Sequence, residues 1–349
     1  MAATAPAFDI ADMIPFDSFE LGVLDRPGLP SFRDLVQQAI RGELDLSFSG
    51  ILNSFVQIVF GEFMASTGLL RQLLIIAILS ALLSCLSEAF KHKSASDLGF
   101  YVTFLMTALL AISSFYLSVE ILNGVVSLVS GIMLAAIPLM TSIMIMSGNV
   151  VGAASFNPLL FFALQLISWF VTVIFVPLVL AAAALDLVNH MSETIKLDKL
   201  AEIIRKLADW SLKGIAGLFM LLLTLQRFSA PIASNVAVRT SQTALGAIPV
   251  VGGALSAAVD TVVHFGHAAR SGVLVALVLV LCVALAAPLI KLAVLAGMYK
   301  LTAGLVQPVA DKRLVTCMDI AGRHMGQLFR AGAIIGAMCV YAVVILLSF

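Results

Sequence analysis

Between positions 121 and 185 the chain carries no Asp, Glu, Lys, Arg or His, a run of 65 residues. One helical crossing of a bilayer needs about 20 apolar residues, so this run has room for two or three. In lipid every backbone polar group must be bonded within the protein, which leaves helices or a closed barrel as the spanning options. The run lacks the two-residue alternation of barrel strands, so helices are expected. Gly148, Asn149 and Gly152 mark a turn near the middle, with Asn157-Pro158 opening the next helix. Spans are therefore expected at 125–146 and 159–185. Pro138 and Pro177 fall inside them and should kink them, their freed carbonyls being satisfied by neighbours or water.

The rest of the chain has the same character. Of 349 residues, 61% are hydrophobic and only 11% charged, with mean hydropathy +1.09, against about 25% charged in a soluble domain. The expected fold is all-α, a polytopic helical membrane protein with its lipid bilayer as solvent. Twenty basic residues balance twenty acidic ones, so charge argues for no nucleic-acid partner. Cys85, Cys282, Cys317 and Cys339 lack ligand spacing and read as small buried hydrophobes, with neither a zinc site nor a disulfide framework implied.

Two regions follow. Residues 1–48 are an acidic extramembrane segment with no visible signal peptide. Ser31 and Asp34 resemble a capping box there, opening a short amphipathic helix with Phe32, Leu35, Val36, Ala39 and Ile40 on one side. Residues 49–349 form the polytopic domain. It begins with an interfacial helix at 51–64, and spans are expected at 73–90 and 98–118, joined by Lys91, His92 and Lys93. That basic turn favours the cytoplasmic side and puts the acidic segment outside. Positions 186–213 hold five acidic and five basic residues around Leu200, Ile203, Ile204, Leu207 and Trp210. This is an amphipathic helix for the headgroup region, Trp210 its anchor, or for a partner protein. A short apolar segment, 212–225, and a polar connector, 229–243, come next.

At 245–265 the chain is apolar, yet Pro249, Gly252 and Gly253 interrupt it and Asp260 closes it. Proline removes a backbone donor and glycine favours open conformations, so a broken or re-entrant segment packed within the bundle is expected. Beyond it, His264 and His267 lack a third ligand, and no metal site is assigned. The longest clean span, 272–298, contains Pro288 and Lys291. A charge at the bilayer centre costs about 3 kcal/mol or more, so Lys291 either snorkels outwards or pairs with Asp260. Pro249, Gly252, Gly253, Asp260, Pro288 and Lys291 are thus the candidate pathway or structural residues. A loop at 302–327 leads to the last span, 328–349, whose Gly332 and Gly336 permit close helix contact. The total is seven or eight apolar segments, depending on whether the broken stretch crosses.

Two stretches carry a family resemblance. IPVVGGALSAAVDTV at 248–262, with Val263 following, and YKLTAGLVQPVADKRLV at 299–315 resemble stage III sporulation protein AE of endospore-forming bacteria. The hydropathy order and the charged helix before Trp210 resemble it as well, from about Ile51 to the C-terminus. The resemblance implies a subunit of the eight-protein stage III A assembly in the mother-cell membrane facing the forespore. That assembly works with stage II sporulation protein Q as a secretion-like or feeding channel supporting forespore development. It implies no catalytic residues and no cofactor, and a homo-oligomer is compatible with it.

The residues themselves show no paired carboxylates, His-Glu-x-x-His or nucleophile-plus-base set within the spans, so no enzyme is expected. The alternative function is an autonomous secondary transporter with a midplane site at the broken segment. Few intramembrane charges and the absence of a convincing internal repeat count against it.

Overall fold

The computed structural model describes the backbone of residues 48–90, 93–146, 150–191, 197–246 and 252–347, and side chains at 56–83, 101–145, 158–189, 197–225 and 272–345. Among these residues every regular element is a helix. In chain order they are α1 (Phe48–Ala65), α2 (Thr67–Phe90), α3 (Lys93–Met146), α4 (Val150–Phe170), a π-helical turn (Val171–Phe175), α5 (Val176–Met191), α6 (Asp198–Gly246), α7 (Gly252–Val306) and α8 (Lys312–Leu347). The all-α polytopic fold is as expected. The acidic segment 1–48, apart from the Phe48 backbone, lies outside the described residues.

The apolar segments are gathered onto fewer and longer helices than their spacing indicated. Five described helices are long and apolar enough to cross a membrane, and α1 with α2, bent by 44°, make a sixth if counted as one span. The expected spans 98–118 and 125–146 are one helix, α3, of 54 residues, about 81 Å long. Glu120, Asn123 and Gly124 between them are polar or small, but without a proline or a paired turn signal nothing ends the helix. The amphipathic segment from Asp198 on, the 212–225 span and the 229–243 connector are likewise one helix, α6, whereas the first residues of that segment, 186–191, end α5. Pro158 lies inside α4 instead of opening it.

The prolines are accommodated locally. Beside Pro138, the hydroxyls of Thr141 and Ser142 donate to the carbonyls of Ile137 and Pro138 at 2.7 and 2.9 Å, a back-bonding that bends helices. Before Pro177 the backbone widens, with Val176 N–H donating to Val171 O. That i→i+5 turn makes room for a ring that would otherwise meet the preceding turn's carbonyl.

The expected loop at 302–327 is mostly helix. α8 starts at Lys312, capped by Asp311, whose Oδ1 accepts from Arg313 N–H at 2.7 Å. Leu314, Cys317, Met318, Ala321 and Met325 are buried, a three-to-four spacing that seats this first half of α8 on α7. α7 and α8 run antiparallel. Gly322 meets Ala296 and Lys300, Gly332 meets Leu289 and Leu292, and Gly336 meets Leu285. The close approach expected at Gly332 and Gly336 is present. The tightest backbone approach is at Gly322, where an added Cβ would lie 3.0 Å from the Ala296 carbonyl oxygen.

The buried side chains form two stacked clusters threaded by α3, α7 and α8. The larger joins α3 from Leu122 to Met144 with α4, the π turn, α5 and α6, with α7 at Val273 to Leu285 and with α8 at Leu328 to Ile345. The smaller joins Leu73 and Ala77 of α2, Ala111 of α3, Leu295 to Val306 of α7 and Leu314 to Met325 of α8. Tyr299, fully buried, donates its hydroxyl to Ser114 Oγ at 2.9 Å and ties α7 to α3 within the smaller cluster. Of the cysteines, Cys317 and Cys339 are buried as expected, Cys282 is at the surface, and the Cys85 side chain lies outside the described residues.

Candidate functional site

Ionisable side chains collect where the two clusters meet. The α7–α8 register sets Lys291 level with Arg330. Glu120 lies between Ser114, bonded to Tyr299, and Leu122, beside Gly332. Asp186 of α5 and Arg205 and Asp209 of α6 reach the same level through His324, Gln327 and Arg330 of α8. By contrast, 122–144, 160–185, 214–225, 272–290 and 331–345 hold no Asp, Glu, Lys, Arg or His. All eleven Lys and Arg with described side chains lie at this band or on the smaller cluster's side of it.

The band's core is a buried polar network joining α5, α6 and α8. Asp186, 3% exposed, accepts at Oδ2 from Arg205 Nη1 at 3.0 Å and faces His324 Nε2 at 2.8 Å. His324, fully buried, faces Gln327 Oε1 through Nδ1 at 2.9 Å. Gln327 Nε2 in turn donates to Asp209 Oδ1 at 3.2 Å, which Arg330 also approaches at 3.4 Å. Asp209 sets the amide's orientation, since a flipped amide would turn its oxygen to a carboxylate. Both imidazole nitrogens then face oxygen atoms of neighbouring side chains. Among the described residues no buried side-chain nitrogen or oxygen lacks a partner. Partial satisfaction of such a network would be costly, so these three helices are locked in one arrangement.

Local structure aims these groups. Asn189 accepts from Leu197 N–H at 2.5 Å and donates to Asp198, closing the α5–α6 hairpin. Ala201 and Ala208, both fully buried, bring α6 close to its neighbours. Arg205 and Asp209, four apart, therefore stand on adjacent turns.

The sequence-predicted residues fall elsewhere, and the structure does not bring them together. Pro249 lies outside the described residues. Gly252 and Gly253 begin α7, whose 55-residue helix then runs without interruption past Asp260, Pro288 and Lys291. The break expected near Pro249 falls on residues 247–251, outside the described residues, between α6 and α7. The pairing of Lys291 with Asp260 is overturned, because 31 residues of one helix put them about 46 Å apart. Asp260's side chain, like those of His264 and His267, lies outside the described residues. Lys291 is half-buried and has no ion-pair partner among the described residues. It sits at the band, level with Arg330 of α8. Asp186 and His324 were missed. They are 138 positions apart, and the one visible signal was that Asp186 ends the long uncharged run. Among the described residues no group of His, Cys, Asp or Glu could hold a metal ion.

Comparison with known proteins bears on this architecture. The family described as stage III sporulation protein AE matches residues 30–349. The chain belongs to that family. A curated relative, stage III sporulation protein AE of Bacillus subtilis (strain 168), is 27% identical over 315 residues, covering 90% of this chain and 79% of the relative. No solved structure matches. Family membership implies a role in sporulation, and the match takes in the band, the network and both stretches that carried the resemblance.

Proposed function

We propose that this chain is a non-enzymatic, multi-pass subunit of the stage III A channel or secretion-like complex in the mother-cell membrane around the forespore. Its partners on this reading are the other stage III A subunits and, through them, stage II sporulation protein Q. Family membership supports the sporulation role. The observation that carries the subunit role is a surplus of apolar height. The candidate span on α3 runs Tyr101–Ile145, 45 residues, about 67 Å of helix. A bilayer's hydrocarbon is about 30 Å thick.

The larger cluster, free of charge across its depth, is the natural occupant of that hydrocarbon. The band then marks one boundary, and the smaller cluster stands beyond it. The eleven described Lys and Arg at and beyond the band support a cytoplasmic position for that side by the positive-inside rule. Yet Ile75, Ile78 and Leu82 of α2 and Leu109, Ile112 and Tyr116 of α3 are 56% to 72% exposed there. A groove of about 440 Å³ between the two helices is lined by Gln72, Ile75, Ile76, Met106, Leu109 and Leu110. Apolar surface on this scale outside lipid calls for protein cover.

The test is photo-crosslinking in sporulating cells from positions 82, 109 and 116. The expected result is capture of other stage III A subunits. No captured sporulation partner, together with normal spore yield after deletion of the gene, would remove the proposal.

A further inference from the structure

We propose that the outward face of α6 around Trp210 is a binding site for anionic phospholipids. α6 turns Ala201, Ala208 and Leu212 inward. On the opposite face Ile203, Leu207 and Trp210 are 61%, 53% and 73% exposed. The same apolar strip continues along the helix to Leu218, Leu221 and Leu225 in the uncharged part of α6. Its inner end therefore faces acyl chains, and its outer end, from Trp210 to Ile203, covers about 10 Å of helix. That is enough to cross a headgroup layer of about 5–8 Å, and an indole at this level is at home.

Two further features select the lipid. Lys199, Lys206 and Lys213 recur every seven residues, so they stand in one line beside the apolar strip. Lys206 is bonded to Glu202 at 2.7 Å. Lys199 and Lys213 have no carboxylate partner among the described residues. The neighbouring Asp209 is turned towards Gln327 and Arg330, so the line remains net positive. Just inward of Lys213, Gly214 and Gly217 are exposed, and a Cβ at either would meet nothing within 4 Å. The helix surface is bare there, with room for an acyl chain beside the backbone. A phosphate at Lys206 and Lys213, a glycerol beside Trp210 and a chain over the glycines fit one phospholipid.

The chain has two tryptophans, so Trp169→Phe leaves Trp210 as the reporter. The full-length protein is reconstituted in vesicles with equal mole fractions of brominated phosphatidylglycerol or brominated phosphatidylcholine, and quenching of Trp210 is measured. One lysine near a membrane surface is worth about a fivefold preference for anionic lipid. Phosphatidylglycerol is therefore expected to associate about fivefold more strongly. The preference should vanish in Lys206→Gln/Lys213→Gln and persist in Lys206→Arg/Lys213→Arg, a pair that also controls for folding. Equal association of the two lipids, or a preference untouched by the glutamines, overturns the proposal. So does the absence of quenching by either lipid, which would assign the face to water or to a protein. The experiment uses the isolated protein, so its outcome is independent of membership in any complex.

Discussion

Replacing Asp186 with Asn tests the interhelical network directly. The substitution keeps the side chain's shape and removes the charge that Arg205 and His324 share, at 3.0 and 2.8 Å. Hydrogen bonds to charged groups are each worth about 1.5–3 kcal/mol. Removing one member of a buried charged set costs about 3–5 kcal/mol, because the remaining charges stay desolvated. The His324 side chain is only 1% exposed and cannot recover water, whereas Arg205, at 21%, recovers part of its hydration. The expected loss is therefore about 3 kcal/mol. In thermal unfolding of the purified full-length protein in detergent, the midpoint should fall by several degrees. A double-mutant cycle with His324→Gln should give a coupling of about 1–3 kcal/mol. If Asp186→Asn stays within about 0.5 kcal/mol of the parent, or if the two substitutions simply add, the network does not hold α5 to α8.

Two further predictions use the same unfolding assay. Gly322→Ala drives a methyl against the Ala296 carbonyl and the Lys300 chain and should cost about 1–3 kcal/mol. Gly326→Ala, one turn further on with nothing within 4 Å, should be neutral or stabilise by up to about 1 kcal/mol through helix propensity. Equal effects at the two positions would contradict the packing described for α7 and α8. Tyr299→Phe removes the bond to Ser114 in a fully buried setting and should cost about 1 kcal/mol. A larger loss would mean that the ring itself had shifted.

Class and composition were plain in the sequence because hydrocarbon demands long apolar runs, and 121–185 supplies one beyond dispute. Helix ends were less legible. Spans were divided where a polar residue stood, at Glu120 and around Lys213, yet a polar residue does not end a helix. At a membrane boundary it is where a continuing helix passes from lipid to its surroundings. The same reasoning makes Lys291 an anomaly in a run centred on 285, whereas the register with α8 sets it level with Arg330. Gly332 and Gly336 were readable because small-residue spacing is a local pattern. Gly322 was hidden in a stretch read as a loop. The network was out of reach for a different reason. Its members come from three helices, and nothing local to Asp186 or His324 points to the other.

Cysteine accessibility measures most directly where the bilayer ends along these helices. The native cysteines are removed and single cysteines introduced at Tyr116 and Val309, 72% and 68% exposed on the smaller cluster's side, and at Leu134 and Phe161, 43% and 56% exposed around the larger cluster. In sided vesicles carrying the protein alone, a membrane-impermeant maleimide should label positions 116 and 309 from the cytoplasmic face only, and positions 134 and 161 from neither face. Labelling of position 134, or labelling of position 309 from the outer face alone, would contradict the placement of the band at the cytoplasmic boundary.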